Sequence, residues 1–189
     1  MSAWRARWIA GWGLCALLLA LALSLQRPPG PRPSAPALVA PFLELAAEVQ
    51  WIRFQRARLR GEPVRALSFA TRALELDPAT TAGWEALAGH LALDLASPER
   101  EPVLERRRQL YSAALGVLER GAERARNAGE LERYAGLLAL SKAEVDPDLD
   151  PDGERGLYRA AAAAFERAAA RGVEGASELA RQARELAAR

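Results

Sequence analysis

From Pro41 to the end of the chain, the spacing of helix-breaking residues constrains the fold more than any other feature. Segments rich in Ala, Leu, Arg and Glu, which favour helix, alternate with short clusters of Gly, Pro, Asn and Asp, which end helices. No segment alternates β-branched and polar residues as a half-exposed strand does. The pattern therefore predicts an all-α fold of seven helices, at residues 42–60, 64–76, 81–95, 103–126, 130–143, 154–171 and 175–188.

Composition excludes several classes of protein. Among 189 residues there is one cysteine, Cys15, and one histidine, His90. A disulfide framework and a zinc cluster are therefore excluded, and we expect no cofactor. The net charge is +2, but residues 1–40 carry four arginines and no acid, so residues 41–189 are mildly acidic. A nucleic-acid-binding domain would carry a basic surface, and we expect no nucleic-acid partner.

The N-terminus carries a predicted membrane anchor at residues 1–26. Residues 8–25 form an uncharged apolar run long enough to span a bilayer, with Trp4, Trp8 and Trp12 near its start. A cleaved signal peptide is the alternative, because Ala20 and Ala22 offer small residues for processing. Cys15 lies inside the run, and the residues before it are not the small residues that precede the modified cysteine of a lipoprotein.

Residues 27–41 contain six of the twelve prolines and are predicted to form a stiff polyproline-II linker before a helical domain at residues 42–189. Arg5 and Arg7 precede the apolar run and Arg27 and Arg32 follow it, so the two sides carry equal numbers of arginines. The charged amino terminus adds to Arg5 and Arg7, and Arg32 lies seven residues beyond Leu25. The positive-inside rule therefore places the N-terminus in the cytoplasm and the helical domain in the periplasm, beyond the inner membrane.

Small residues recur in the helical domain with a regular spacing. Eighteen residues separate Ala66 from Trp84, and eighteen separate Ala161 from Leu179, as a 34-residue period requires. The residues at the repeat positions are Ala66, Ala70, Ala73 and Pro78, then Trp84, Leu87, Ala88 and Leu91, and later Ala161, Phe165 and Ala168. On these residues the domain resembles the tetratricopeptide-repeat family, with departures such as Arg53 and Phe54 where Leu and Gly belong.

The resemblance implies about three helical hairpins with a capping helix, and a role in binding other proteins. A plain helical bundle is the alternative. The domain is also similar to uncharacterised repeat proteins of bacteria with a complex envelope, on the run Trp51–Gln55 and on Tyr134, Gly136 and Lys142. That similarity implies no activity.

Two hairpins depart from the period inside their turns. Ala113 stands 13 residues, and Ala161 14 residues, beyond the position that the period requires. Because equivalent turns of a solenoid line up along one edge, both long turns are expected there. Such an edge is either a binding face or the result of unselected drift in loop length.

The second of these turns contains Asp148, Asp150 and Asp152 followed by Gly153, which resembles the start of a calcium-binding loop. An EF-hand counted from Asp148 needs Glu at its twelfth position, where Arg159 stands. We therefore favour an acidic, solvated loop at the start of the next helix over a calcium site.

Four residues on the first helix are candidates for partner binding. Arg53, Arg56 and Arg60 recur at spacings of three and four, so they share one face that could hold an acidic peptide. The alternative is a solvated face neutralised by Glu99, Glu101 and Glu105. Trp51 lies one residue from a packing position and is expected either in the groove or in the core, whereas Trp84 is expected in the core.

Nothing in the sequence supports an enzyme. His90 has only Asp94, four residues later, as a partner at helical spacing, and we expect it at the surface or at an interface. The motifs of phosphate-binding loops, serine hydrolases and zinc peptidases are absent. The sequence thus predicts a non-catalytic interaction module of the bacterial envelope. The alternatives are a structural subunit of a larger membrane complex and a calcium-dependent sensor or adhesion element.

Overall fold

The structure, a computed structural model, describes the backbone of residues 35–189 and the side chains of residues 42–189. This part of the chain is helical and contains no strand. We name its α-helices α1 (Ala35–Leu59), α2 (Pro63–Leu76), α3 (Thr81–Gly89), α4 (Leu104–Ala122), α5 (Ala128–Val145), α6 (Glu154–Ala170) and α7 (Ala176–Ala187). A π-helix (His90–Leu95) continues α3, and a short 3₁₀ helix (Pro147–Leu149) follows α5. The predicted all-α fold is confirmed for the described residues.

The predicted helices match the observed ones closely, with two differences. Helix α1 begins at Ala35, so residues 35–41 of the predicted polyproline linker are helical. Pro36 lies in the first turn of the helix, where its missing N–H is not needed. Helix α4 ends at Ala122 and not at 126, because the next residues form turns whose N–H groups bond back to the Gly121 carbonyl.

Two compact units divide the chain, Met1–Ala40 and Pro41–Arg189, and the hydrophobic core lies in the second. Within the second unit, helices adjacent in sequence pack together from α2 to α7, and α3 also contacts α5. Among residues 35–189, no helix combines the length and the apolar character needed to cross a membrane. The predicted span at residues 8–25 lies outside the described residues.

Small residues at the predicted repeat positions are buried between helices. Ala66, Ala70 and Ala73 of α2 are inaccessible, as are Ala161 and Ala168 of α6. Phe165, also fully buried, lies against Gly136 of α5, where an added Cβ atom would stand 2.6 Å from the phenyl ring. The close approach of α5 and α6 therefore depends on a side chain no larger than hydrogen at position 136.

The predicted alignment of α4 is wrong by one residue. Ala113 is exposed, and the buried residues at the repeat spacing are Ala114, Leu118 and Gly121. Their spacings of four and three match those of Ala66, Ala70 and Ala73. Arg107 and Tyr111 continue the same buried face one heptad earlier, and the burial of this arginine needs a partner from a distant part of the chain.

Candidate interaction site

The three predicted arginines line one pocket between α1 and α2. Arg53, Arg56 and Arg60 stand on one side of α1, and Arg65 and Phe69 of α2 lie opposite. The pocket has a volume of about 260 Å³, and Ala57 and Glu62 complete its lining. The structure therefore brings together three of the four predicted site residues and adds a fourth arginine from the next helix.

The turn between the two helices sets this geometry. Gly61 adopts a positive φ of 69°, and the Glu62 N–H bonds to the Ala57 carbonyl at 2.9 Å while the Gly61 N–H bonds to the Arg58 carbonyl at 3.0 Å. These are the hydrogen bonds of a Schellman motif, which favours glycine at this point. Pro63 then starts α2 in the first-turn position where proline is tolerated.

The charge of the pocket is strongly positive. Among the described residues that line it, the single carboxylate is that of Glu62, which accepts a hydrogen bond of 3.0 Å from Arg65. The Arg53 guanidinium lies 6.0 Å from the centre of the Phe69 ring, at the limit of a cation–π contact. Within residues 42–189, no carboxylate oxygen lies within 4 Å of the Arg53, Arg56 or Arg60 guanidinium groups. The pocket thus presents three guanidinium groups to solvent without a bound acid.

The three glutamates proposed as neutralising partners lie elsewhere. Glu101 approaches Arg106 at 3.8 Å, and Glu105 lines a different groove. Glu99, like these two, makes no ion pair with the pocket arginines. Direct ion pairing of these glutamates with Arg53, Arg56 or Arg60 is therefore contradicted within residues 42–189, whereas the three arginines are exposed as a solvated face requires.

Trp51 lies on a different face of α1 from the arginines. Its ring meets that of Phe54 edge to face at 5.4 Å, and it packs against Gly83 of α3, where a Cβ atom would stand 2.6 Å from the indole. Trp51 therefore belongs to the α1–α3 contact and not to the arginine pocket. Trp84 is buried, as predicted, and its indole N–H donates to the Pro78 carbonyl at 2.9 Å.

The expectation that His90 lies at the surface or at an interface with another protein is wrong. His90 is buried at the start of the π-helix, and its ring meets Phe54 edge to face at 5.5 Å. The Nδ1–H donates to Asp94 Oδ2 at 2.8 Å, and the Arg58 Nε–H donates to the same oxygen at 2.9 Å. Nε2 is buried, and no group among the described residues forms a hydrogen bond with it. The histidine therefore links α1 to α3 through Asp94 and lies in the interior.

Burial raises the pKa of Asp94, but hydrogen bonds and positive charge from His90 and Arg58 outweigh it and hold the pKa below its ordinary value. Asp94 is therefore ionised at neutral pH. The sequence suggests the Asp94–His90 pair by its spacing of four, whereas Arg58 comes from 36 residues earlier and could not be foreseen.

The two long turns meet through buried charges that sequence reasoning missed. Arg107 forms a two-pronged pair with Asp146, at 2.7 Å and 3.1 Å, and also donates to the carbonyls of Glu101 and Pro102. Lys142, only 2% exposed, donates to the Ala96 carbonyl at 2.8 Å. The turn at residues 96–103 is thereby tied to the turn at residues 146–153. The two turns therefore lie side by side, as the sequence predicts.

Burial and hydrogen bonding shift the pKa values of these two basic side chains. The hydrogen bonds that Arg107 donates to Asp146 raise the pKa of Arg107, and burial lowers the pKa of Lys142. A signal for both residues exists in the sequence, since Lys142 follows Leu138 by four residues and Arg107 precedes Tyr111 by four. A charged residue four positions from a buried apolar residue lies on the same helix face. Such a residue is expected to be buried as well and to require a partner of opposite charge or a hydrogen-bond acceptor.

Three of the four aspartate side chains of the second turn make contacts within the domain, and the backbone carbonyl of the fourth, Asp148, accepts a hydrogen bond from Arg108. Asp146 pairs with Arg107, Asp152 pairs with Arg159, and the Asp150 carboxylate accepts a 2.9 Å hydrogen bond from the Asp152 N–H. Asp150 also packs against Gly156 in the first turn of α6. In the described part of the chain, no group of three His, Cys, Asp or Glu side chains is placed to hold a metal ion.

A wider groove of about 820 Å³ lies between α2, α3 and α4. Apolar residues such as Leu67, Leu87 and Leu91 line it, together with Glu105, Arg108 and Arg120. Its charge is mixed, so it lacks the selectivity for one sign of charge that the arginine pocket has.

Comparisons of the chain with protein-family models, with curated proteins and with solved structures find no match.

Proposed function

We propose that this protein is a non-catalytic interaction module whose pocket between α1 and α2 binds an acidic segment of another protein. The observation that carries the proposal is the set of Arg53, Arg56, Arg60 and Arg65 around one pocket that holds a single carboxylate. Guanidinium groups bind carboxylates in a two-pronged geometry, so clustered arginines favour adjacent acidic residues as ligand.

The proposed scaffold is a short solenoid of tetratricopeptide-like hairpins. The burial of Ala66, Ala70 and Ala73 in one hairpin and of Ala161, Phe165 and Ala168 in another supports it, as does the meeting of equivalent turns along one edge. Helices that each contact mainly their neighbours in sequence are typical of such solenoids.

We further propose that residues 8–25 anchor the module in the inner membrane and that the helical domain faces the periplasm. The proposal rests on the apolar run and on Arg5 and Arg7 before it. Alkaline phosphatase fused after Arg189 should be active, since this enzyme requires export. An inactive phosphatase together with an active cytoplasmic reporter at the same site would reverse the orientation.

The acidic-segment proposal is tested with the full chain purified in detergent. A fluorescent hexaglutamate peptide should bind with an affinity that falls as salt is raised, and a hexalysine peptide should not bind. Arg56→Gln combined with Arg60→Gln should weaken binding of the acidic peptide at least tenfold, because two of the four guanidinium groups are lost.

The matched control changes the same number of charges elsewhere. Arg100→Gln combined with Arg124→Gln removes two exposed arginines outside the pocket and should leave binding unchanged. Equal losses in the two double variants would mean that the peptide responds to overall charge alone, and the pocket would be rejected as the binding site.

A structural subunit of a larger membrane complex is the second candidate. Such a subunit exposes apolar side chains that its neighbours cover. Helix α1 has this property, since Phe42 and Leu45 are 70% and 65% exposed.

A further inference from the structure

The outer face of α1 carries a row of exposed apolar side chains. We call it the α1 stripe, and it consists of Phe42, Leu45, Val49, Ile52 and Leu59, all between 41% and 88% exposed. The opposite face of the helix packs on the domain through Ala47, Phe54 and Ala57. Helix α1 therefore has one apolar face in the core and a second one in solvent.

The spacing within the α1 stripe is that of a coiled coil. Successive members lie three, four and three residues apart from Phe42 to Ile52, and Leu59 follows one heptad after Ile52. Phe42 and Val49 then take position a, and Leu45, Ile52 and Leu59 take position d. Such a seam is filled by a facing helix with the same repeat.

The residues flanking the α1 stripe have complementary charge. Glu48 takes position g and Arg53 takes position e, and both are exposed. In a parallel pair of helices, residue g lies beside residue e of the following heptad in the partner, five positions later. Glu48 of one copy would thus meet Arg53 of the other, and by symmetry the pair would form twice.

An antiparallel pair gains no such contact. Positions g then face g, and positions e face e, so Glu48 would meet Glu48 or Gln55, and Arg53 would meet Ala46, Arg53 or Arg60. No antiparallel register joins opposite charges. The flanking residues therefore favour the parallel arrangement.

We propose that the α1 stripe is the interface between two copies of this chain, which pair in parallel through residues 42–59. The stripe is about 27 Å long, too short for an isolated coiled coil, but α1 is already held helical by its packing on the domain. The predicted span precedes α1 in each copy, so two copies in one membrane would present α1 in the same direction. Arg53 and Arg56 also line the arginine pocket, so the proposed interface shares two residues with the proposed function.

One residue of the heptad pattern is charged. Arg56 takes position a between Ile52 and Leu59, and its side chain reaches the arginine pocket at the side of the seam. A polar residue at a single a position lowers the stability of a coiled coil while fixing its register. In the parallel register that joins Glu48 to Arg53, Arg56 of one copy lies opposite Arg56 of the other, so this interface is weaker than a fully apolar one.

The experiment is cysteine cross-linking of the full chain in membranes, in a Cys15→Ser background. In a parallel pair, position d of one helix faces position d of the other, so Ile52→Cys should yield cross-linked dimer under mild oxidation. Val64→Cys is the matched control, because Val64 is an exposed apolar residue of α2 outside the stripe. Ile52→Cys should give several-fold more dimer than Val64→Cys.

Charge reversal tests the register. Glu48→Arg alone and Arg53→Glu alone should each lower the yield of Ile52→Cys dimer several-fold, and the double reversal should restore it. Equal cross-linking at positions 52 and 64 would overturn the interface. Cross-linking at 52 that the double reversal fails to restore would overturn the parallel register. A retained helical circular dichroism spectrum in every variant excludes unfolding as the cause.

Discussion

Two regions of this domain use arginine in opposite ways. Arg107 lies between the two long turns, nearly buried, and donates four hydrogen bonds to Asp146 and two carbonyl groups. Arg53, Arg56 and Arg60 line an open pocket and pair with no carboxylate among residues 42–189. The first arginine is satisfied by the fold, whereas the other three have donors available to a ligand.

The burial of a charged side chain indicates whether it contributes to stability or is available for binding. A buried charge must be compensated inside the protein, because leaving it unpaired costs several kcal/mol. An exposed charge stays hydrated in the folded protein. A cluster of like charges at the surface therefore lowers the free energy of unfolding only slightly. Variants at the two regions should accordingly differ most in their free energy of unfolding.

The largest effect is expected at the buried pair. Arg107→Met should destabilise the protein by about 3–5 kcal/mol, because it leaves the Asp146 carboxylate buried without its partner. The measurement is urea unfolding of the full chain in detergent, followed by circular dichroism. Arg107→Met combined with Asp146→Leu should recover much of the loss, since no uncompensated charge then remains. A double variant as unstable as the single one would mean that Arg107 acts through packing and its two carbonyl contacts.

An intermediate effect is expected where helices touch through small side chains. Ala161→Leu or Ala168→Leu should each destabilise the domain by about 1–3 kcal/mol, since both alanines are inaccessible and a larger side chain must displace a neighbouring helix. Ala170→Leu, at an exposed position of the same helix, is the control. If all three variants are equally stable, the close packing around α6 is wrong.

A smaller, pH-dependent effect is expected at Asp94. Its pKa is lower in the folded protein than the ordinary value of 3.8, so its contribution to stability is present above pH 3.8 and is lost as pH falls through the lowered pKa. Asp94→Asn should cost about 1 kcal/mol at pH 7, because the side chain is about one-third exposed and screened by solvent. The variant should also lose less stability between pH 5 and acid unfolding.

The control for this titration is Glu75→Gln, which removes an exposed carboxylate of α2. Its acid unfolding curve should follow that of the unchanged protein. If Asp94→Asn also follows that curve, the contact of Asp94 with His90 and Arg58 contributes nothing to acid stability.

Local patterns were enough to predict the helices, because each helix end is marked by Gly, Pro, Asn or Asp within a few residues. They also grouped Arg53, Arg56 and Arg60, since spacings of three and four on one helix fix a common face. The Asp146 partner of Arg107 and the Arg58 partner of Asp94 lie 39 and 36 residues away, and only the tertiary fold joins them. The sequence does not distinguish Ala113 from Ala114 as the buried alanine of α4, because the two small residues are adjacent.

The smallest effect on stability is expected at the arginine pocket. Arg60→Gln should change the free energy of unfolding by less than about 0.5 kcal/mol, because Arg60 is exposed and has no ion-pair partner among the described residues. At low salt the variant should be slightly more stable than the unchanged protein, because the substitution removes repulsion among the clustered guanidinium groups. This gain in stability should vanish as the salt concentration is raised. A loss of 2 kcal/mol or more would place Arg60 with Arg107 as a structural residue. The pocket would then lose one of its guanidinium groups as a candidate for binding.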